Sequence, residues 1–195
     1  MRKTKEVFKT TGALRLTSVI MILVMAISLA ACSSDKSPEN EEQQSSDTAK
    51  IAEFKTVDLD GNEVTQDVFS EADITMINFW GTFCRPCVQE MPEIQKINAK
   101  YAGKAQVIGV PLDVNFDDAD SAEYKNALKT LEWAEAEFKN IKPSGDIEKY
   151  MVNVQYVPTT IFVDSEGNII GEPVVGAMTE EYRARIDEYL EQNAA

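Results

Sequence analysis

From residue 51 onward, apolar positions alternate between short runs and helical stripes. The strongest run, residues 74–80, is interrupted only by Thr75 and Asn78 and predicts a strand buried on both faces. A Gly81-Thr82 turn follows, then a helix from Cys84 to about Tyr101 with Val88, Met91, Ile94, Ile97 and Tyr101 along one side. Pro92 predicts a kink in that helix, and Gly103 a C-cap. Residues 105–112 read as a second buried strand. Asp120 with Glu123 has the spacing of a capping box, opening a helix to about Phe138 on Ala127, Leu131, Ala134 and Phe138. Pro143-Ser144-Gly145 breaks the chain before a short helix over residues 146–151. Two hairpins are expected: residues 54–65 around Asp60-Gly61-Asn62, and residues 160–174 around the turn at 164–167. Thr179 caps a last helix that buries Tyr182, Ile186, Tyr189 and Leu190. The series predicts an α/β fold: one central mixed sheet flanked by helices, with an N-terminal β-hairpin.

The first 31 residues have a different character. Arg2, Lys3, Lys5, Lys9 and Arg15 precede an apolar stretch over 19–29. That stretch is shorter than the roughly 20 apolar residues a membrane span needs. Leu29-Ala30-Ala31-Cys32 resembles a bacterial lipobox, which implies a lipoprotein signal peptide over 1–31 and lipidation of Cys32. An uncleaved signal anchor is the alternative. Both place the rest of the chain outside the cytoplasm at a membrane. Residues 32–50 are rich in Ser, Glu, Gln and Asp and read as a disordered tether from Cys32, leaving residues 51–195 as one domain.

Charge and residue usage then narrow the function. Without residues 1–31 the chain carries 14 basic and 32 acidic residues, a net charge of −18. So acidic a surface argues against nucleic acid. With no histidine, Ser-His-Asp and Cys-His catalysis and every His-ligated metal site are excluded. If Cys32 is lipidated, Cys84 and Cys87 are the remaining thiols. They stand at a helix N-terminus, after the carboxyl end of a strand, where unpaired N–H groups and the helix dipole stabilise an anion. A thiolate is the nucleophile of disulfide exchange, and a second thiol one turn away closes a small ring. Cys84, the more N-terminal, is expected to attack; Cys87 is expected to resolve the mixed disulfide. Arg85 adds positive charge between them, and Pro86 stiffens the turn. A zinc site would need two further ligands; with no histidine and no other free cysteine only carboxylates could complete it, and such a site would be poor. The acidic stretch 113–120 begins like a calcium loop but has Asp118 where the loop needs Gly and Tyr124 where it needs Glu. No metal and no cofactor are expected.

The segment from Trp80 to Pro92, with Cys84-Arg85-Pro86-Cys87 at its centre, resembles the active site of the thioredoxin superfamily. It is most similar to the membrane-anchored TlpA/ResA-like branch, a redoxin domain of AhpC/TSA type. Val157-Pro158-Thr159-Thr160 looks like that family's cis-proline loop. The resemblance covers roughly residues 52–192. It implies a thioredoxin fold and an extracytoplasmic thiol-disulfide oxidoreductase, and makes Trp80, Arg85, Pro86, Val157 and Pro158 candidates for the substrate face. Trp80 reads equally as core. A Glu at the position of Glu90 is functional in ResA-like proteins. One turn after Cys87, Glu90 is well placed to take the proton that Cys87 loses. Asn78 departs from thioredoxins, which have a buried Asp there, and cannot act as a base. Phe83 replaces a more usual Trp.

The resemblance further implies a reductant fed by a membrane thiol donor of the CcdA/DsbD type. Apocytochrome c is one implied substrate, which would place the protein in cytochrome c maturation. A methionine sulfoxide reductase, an antioxidant role, is another. Rival readings are an oxidative folding catalyst and a non-catalytic redox-sensing lipoprotein. A peroxidase fits poorly, because the peroxiredoxin pattern sets Thr three residues before its Cys and Thr82 is two before Cys84. The domain is expected to be monomeric.

Overall fold

The computed structural model describes residues 50–194. The expected signal peptide, Cys32 and nearly all of the tether lie outside them. In chain order the elements are β1 (Lys55–Val57), β2 (Glu63–Thr65), a 3-10 turn (Gln66–Glu71), β3 (Ile74–Trp80), α1 (Arg85–Lys100), β4 (Ala105–Pro111), α2 (Ala122–Trp133), β5 (Lys139–Asn140), α3 (Gly145–Met151), β6 (Thr159–Asp164), β7 (Ile169–Val175) and α4 (Thr179–Gln192).

All seven residues of β3 are buried because it is the middle strand of the sheet β5-β4-β3-β6-β7. It pairs in parallel with β4 and antiparallel with β6. Alternation then divides its side chains between two cores. Ile74, Met76 and Trp80 face a core shared with α1, α2 and α4, while Ile77 and Phe79 face one built from β6, α3 and the β1–β2 hairpin region. This is the two-faced mixed sheet that the hydrophobic pattern predicts.

Both hairpins turn on the same five-residue device, Asp-x-x-Gly-Asn. Asp58 accepts from the Asp60 and Asn62 amides, and Asp164 from those of Glu166 and Asn168, at 2.8–3.0 Å. Gly61 and Gly167 take φ of 83° and 85°, the left-handed conformation each turn requires.

The sheet's borders are irregular. β5 has only two residues. Between the Thr160–Val174 and Phe162–Ile170 pairs, β6 advances two residues and β7 four, so β7 bulges through Gly171, Glu172 and Pro173.

Three boundaries differ from expectation. The N-cap of α2 is Ser121, whose hydroxyl accepts from the Tyr124 amide, not Asp120. Thr179 is the first helical residue of α4 rather than its cap, which is Met178 without a side-chain bond. α1 is capped by Tyr101; Gly103, with φ of 83°, lies two residues beyond.

A fourth difference is larger. α2 stops at Trp133, five residues short of Phe138. Glu135 adopts φ of 50°, its amide bonds to Glu132, and the Ala136 amide bonds to Leu131. This is a Schellman motif with glutamate in the left-handed position that glycine usually fills. Phe138 still reaches the α1-side core, from the extended chain entering β5. Relief of the left-handed backbone predicts that Glu135→Gly stabilises the domain by about 1 kcal/mol, measured as a raised midpoint in urea denaturation.

Candidate active site

β3 ends at Trp80, and after three intervening residues the chain enters α1 with Cys84 as its N-cap. The Cys87 amide donates to Cys84 Sγ at 3.3 Å, so a sulfur satisfies one of the helix's unpaired N–H groups. Pro86 falls in the first turn, where a missing N–H costs nothing. The loop before Cys84 is tied down from β4. Asp113 accepts the Thr82 amide at 3.0 Å and the Thr82 hydroxyl at 2.6 Å. Cys84 and Cys87 are joined as a disulfide. Cys84 is 7% exposed and Cys87 0%, so an incoming molecule can reach only the first sulfur.

The Val157–Pro158 peptide bond is cis. The Val157 carbonyl oxygen lies 3.4 Å from Cys84 Sγ, bringing together residues 73 apart in sequence. Phe83 and Tyr156, 72% and 69% exposed, stand beside this contact in the chain, and Arg85 is exposed at the helix start.

Glu90, one turn after Cys87, is buried in the core behind the disulfide. The Asn78 amide donates to its Oε1 at 3.2 Å and to Thr160 Oγ1 at 3.0 Å. The Tyr182 hydroxyl lies 3.1 Å from Oε2. Burial pushes Glu90 from 4.5 up to about 7, against the Asn78 bond and, when its hydroxyl donates, the Tyr182 bond, which favour the carboxylate. Asn78 Oδ1 is itself buried without a hydrogen-bond partner.

The geometry thus gathers Cys84, Cys87, Glu90, Arg85, Pro86, Val157 and Pro158 at one end of the sheet. Trp80 is the exception. It is fully buried, and its indole N–H donates to Asn140 Oδ1 at 3.0 Å, so it lies in the core with no surface open to an incoming molecule. Sequence reasoning missed Asp113, Thr160 and Tyr182, whose roles depend on contacts across the fold. The acidic loop spends its carboxylates separately: Asp113 on Thr82, Asp117 on Lys142 and Asp120 on Lys125.

A redox-active sulfur pair at a helix N-terminus, with one sulfur shielded and a cis-proline loop against the other, defines a thiol-disulfide oxidoreductase of thioredoxin fold. Comparisons agree. Residues 48–171 match the AhpC/TSA family. The thiol-disulfide oxidoreductase ResA of Bacillus thuringiensis subsp. konkukian is 33% identical over 141 residues, covering 71% of this chain and 73% of its own. ResA of Oceanobacillus iheyensis is 30% identical over 181 residues, 89% of this chain and 85% of its own. Among solved structures, a Chlorobium tepidum protein provisionally assigned as the thiol:disulfide interchange protein DsbE superposes with a TM-score of 0.59 at 26% identity, covering 73% of this chain and 96% of that one. The chain belongs to the AhpC/TSA family, within the ResA-like part of the thioredoxin superfamily.

Glu90 makes stability depend on pH. Between 4.5 and about 7 the folded protein keeps a proton that the unfolded chain has released. Stability is therefore full below 4.5 and falls as pH rises through 7, by about 3 kcal/mol in all. In the oxidised protein, Glu90→Gln is expected to abolish this slope and to be the more stable form at pH 8. Denaturant midpoints for both proteins across that range provide the check.

Proposed function

We propose that this protein is a lipid-anchored, extracytoplasmic reductant of protein disulfides. The observation that carries the reading is the asymmetry of the pair: Cys84 retains a small accessible face, while Cys87 is fully buried with the Glu90 carboxyl one turn further into the core. The Cys84 thiolate attacks a substrate disulfide, forming a mixed disulfide and releasing one substrate thiolate. Cys87 loses its proton to Glu90 and attacks Cys84 Sγ. The second substrate thiol leaves, and the Cys84–Cys87 disulfide closes. Two electrons have passed to the substrate. A membrane thiol donor of the CcdA/DsbD type returns them.

The substrate docks as an extended strand along Val157 beside cis-Pro158, the β-addition mode of peptide recognition. Phe83 and Tyr156 give that strand apolar surface, and Arg85 a positive charge. Apocytochrome c haem-site cysteines are the preferred substrate, supported by the ResA name of the relatives; a methionine sulfoxide reductase is the alternative recipient. The basic and apolar segments before Cys32 support the anchored, extracytoplasmic address. Among the described residues no helix is long and apolar enough to cross a membrane.

A Cys84/Cys87 reduction potential near or below that of thioredoxin, about −270 mV, is expected. A value near about −120 mV would reverse the direction and make the protein an oxidant of exported chains. In turnover with a protein disulfide, Cys84→Ser is expected to be inactive, and Cys87→Ser to accumulate the mixed disulfide on a non-reducing gel. Turnover that survived Cys84→Ser would sink the mechanism.

A further inference from the structure

Tyr182 has two acceptors and one proton. From α4 its hydroxyl reaches Glu90 Oε2 at 3.1 Å and the Gly176 carbonyl at 2.8 Å. A phenol donates once and accepts through its lone pairs, whereas a peptide carbonyl only accepts. An ionised Glu90 also only accepts. In that state one of the two contacts lacks a proton. With Glu90 protonated, both are satisfied: Glu90 donates to Tyr182, and Tyr182 donates to Gly176.

The second contact leads back to the surface. The amide of the same Gly176 donates to the Pro158 carbonyl at 2.8 Å. Pro158 follows Val157, whose carbonyl lies against Cys84 Sγ. Hydrogen bonds, joined through the backbone of Gly176, therefore link Glu90 and Tyr182 to the loop that faces the reactive sulfur.

We propose that Tyr182 is a positioning residue that passes the protonation state of Glu90 to the cis-proline loop. Its proton rests on the Gly176 carbonyl while Glu90 is protonated. When Glu90 ionises, the hydroxyl turns to the carboxylate and frees that carbonyl. During turnover, the proton that Cys87 gives to Glu90 would fasten the loop just as Cys87 attacks the mixed disulfide. This last step rests on the proposed role of Glu90; the coupling itself does not.

The groups facing Glu90 leave the assignment clear. Asn78 from β3 and Thr160 from β6 do not titrate. Burial raises Tyr182, keeping it neutral, and Cys87 on the same helix is locked in the disulfide. The nearby charges Glu93, one residue-triplet further along α1, and Arg183, next to Tyr182, pair with each other at 2.7 Å.

The experiment is NMR on the oxidised full-length chain in detergent, without substrate. The Gly176 carbonyl carbon and the Ala177 amide that shares its peptide link are followed against pH, beside the Glu90 side-chain carboxyl carbon. All three should move with one midpoint. In Tyr182→Phe the Gly176 signal should become flat while the Glu90 carboxyl carbon still titrates. A flat Gly176 signal in the wild type overturns the proposal. So does a Gly176 signal that still follows the Glu90 midpoint in Tyr182→Phe, which would carry the coupling without the hydroxyl. Should that variant not fold, Glu90→Gln decides. Its carboxamide imitates the protonated acid, so Gly176 should show the low-pH wild-type signal at every pH; the high-pH signal there overturns the coupling. No disulfide is turned over, so failure here is distinct from failure of the reductase reading.

Discussion

A helix begins with N–H groups that its own turns cannot bond, and in this molecule the atom that takes one of them is a sulfur. Cys84 is at once the N-cap of α1 and the more accessible half of the redox pair. The rest of the fold keeps it there. β3, buried on both faces, delivers the chain to that point, and Asp113 at the end of the neighbouring strand fixes the loop between. Under the proposed reading the cap is also the nucleophile, which ties reactivity to the helix start: the dipole and the free amides act on whatever charge the sulfur carries.

Behind that surface the protein tolerates two local costs. One is the Glu90 carboxyl, buried with Asn78 and Tyr182 as its hydrogen-bonding neighbours. The other is Asn78 Oδ1, buried with no partner at all. Both sit on the α1 side of the sheet, in the same core as Cys87, Met91 and Trp80. An apolar wall with a small polar cluster inside it is poor for stability and useful for moving protons, because low polarity holds a carboxyl near neutrality where it can give and take one.

Much of this was legible in the chain. The apolar run at 74–80, the Cys84–Cys87 spacing and the segment around Pro158 each carry local signals, and all fell where expected. Glu90 was singled out by helical spacing together with the family resemblance. Other features were hidden for definite reasons. The end of α2 lacks the glycine that would announce it, since Glu135 takes the left-handed position. Asp120 and Ser121 are both good caps, and only backbone geometry chooses between them. Trp80 has no pattern that separates a core wall from a docking surface; its bond to Asn140 decides. Tyr182 reads as one more core aromatic, because its partners Glu90 and Gly176 belong to other elements.

The borders of the sheet have a consequence for how the domain meets other extended chains. One border is a two-residue strand; the other is distorted by a two-residue bulge and carries Pro173, which has no N–H to offer. An extended polypeptide searching for a ladder to join finds none of useful length on either side. The sheet is thereby a poor template for edge-to-edge pairing with another chain. Under the proposed reading, a substrate's backbone is turned toward the single place where meeting it leads to exchange of sulfur bonds and release.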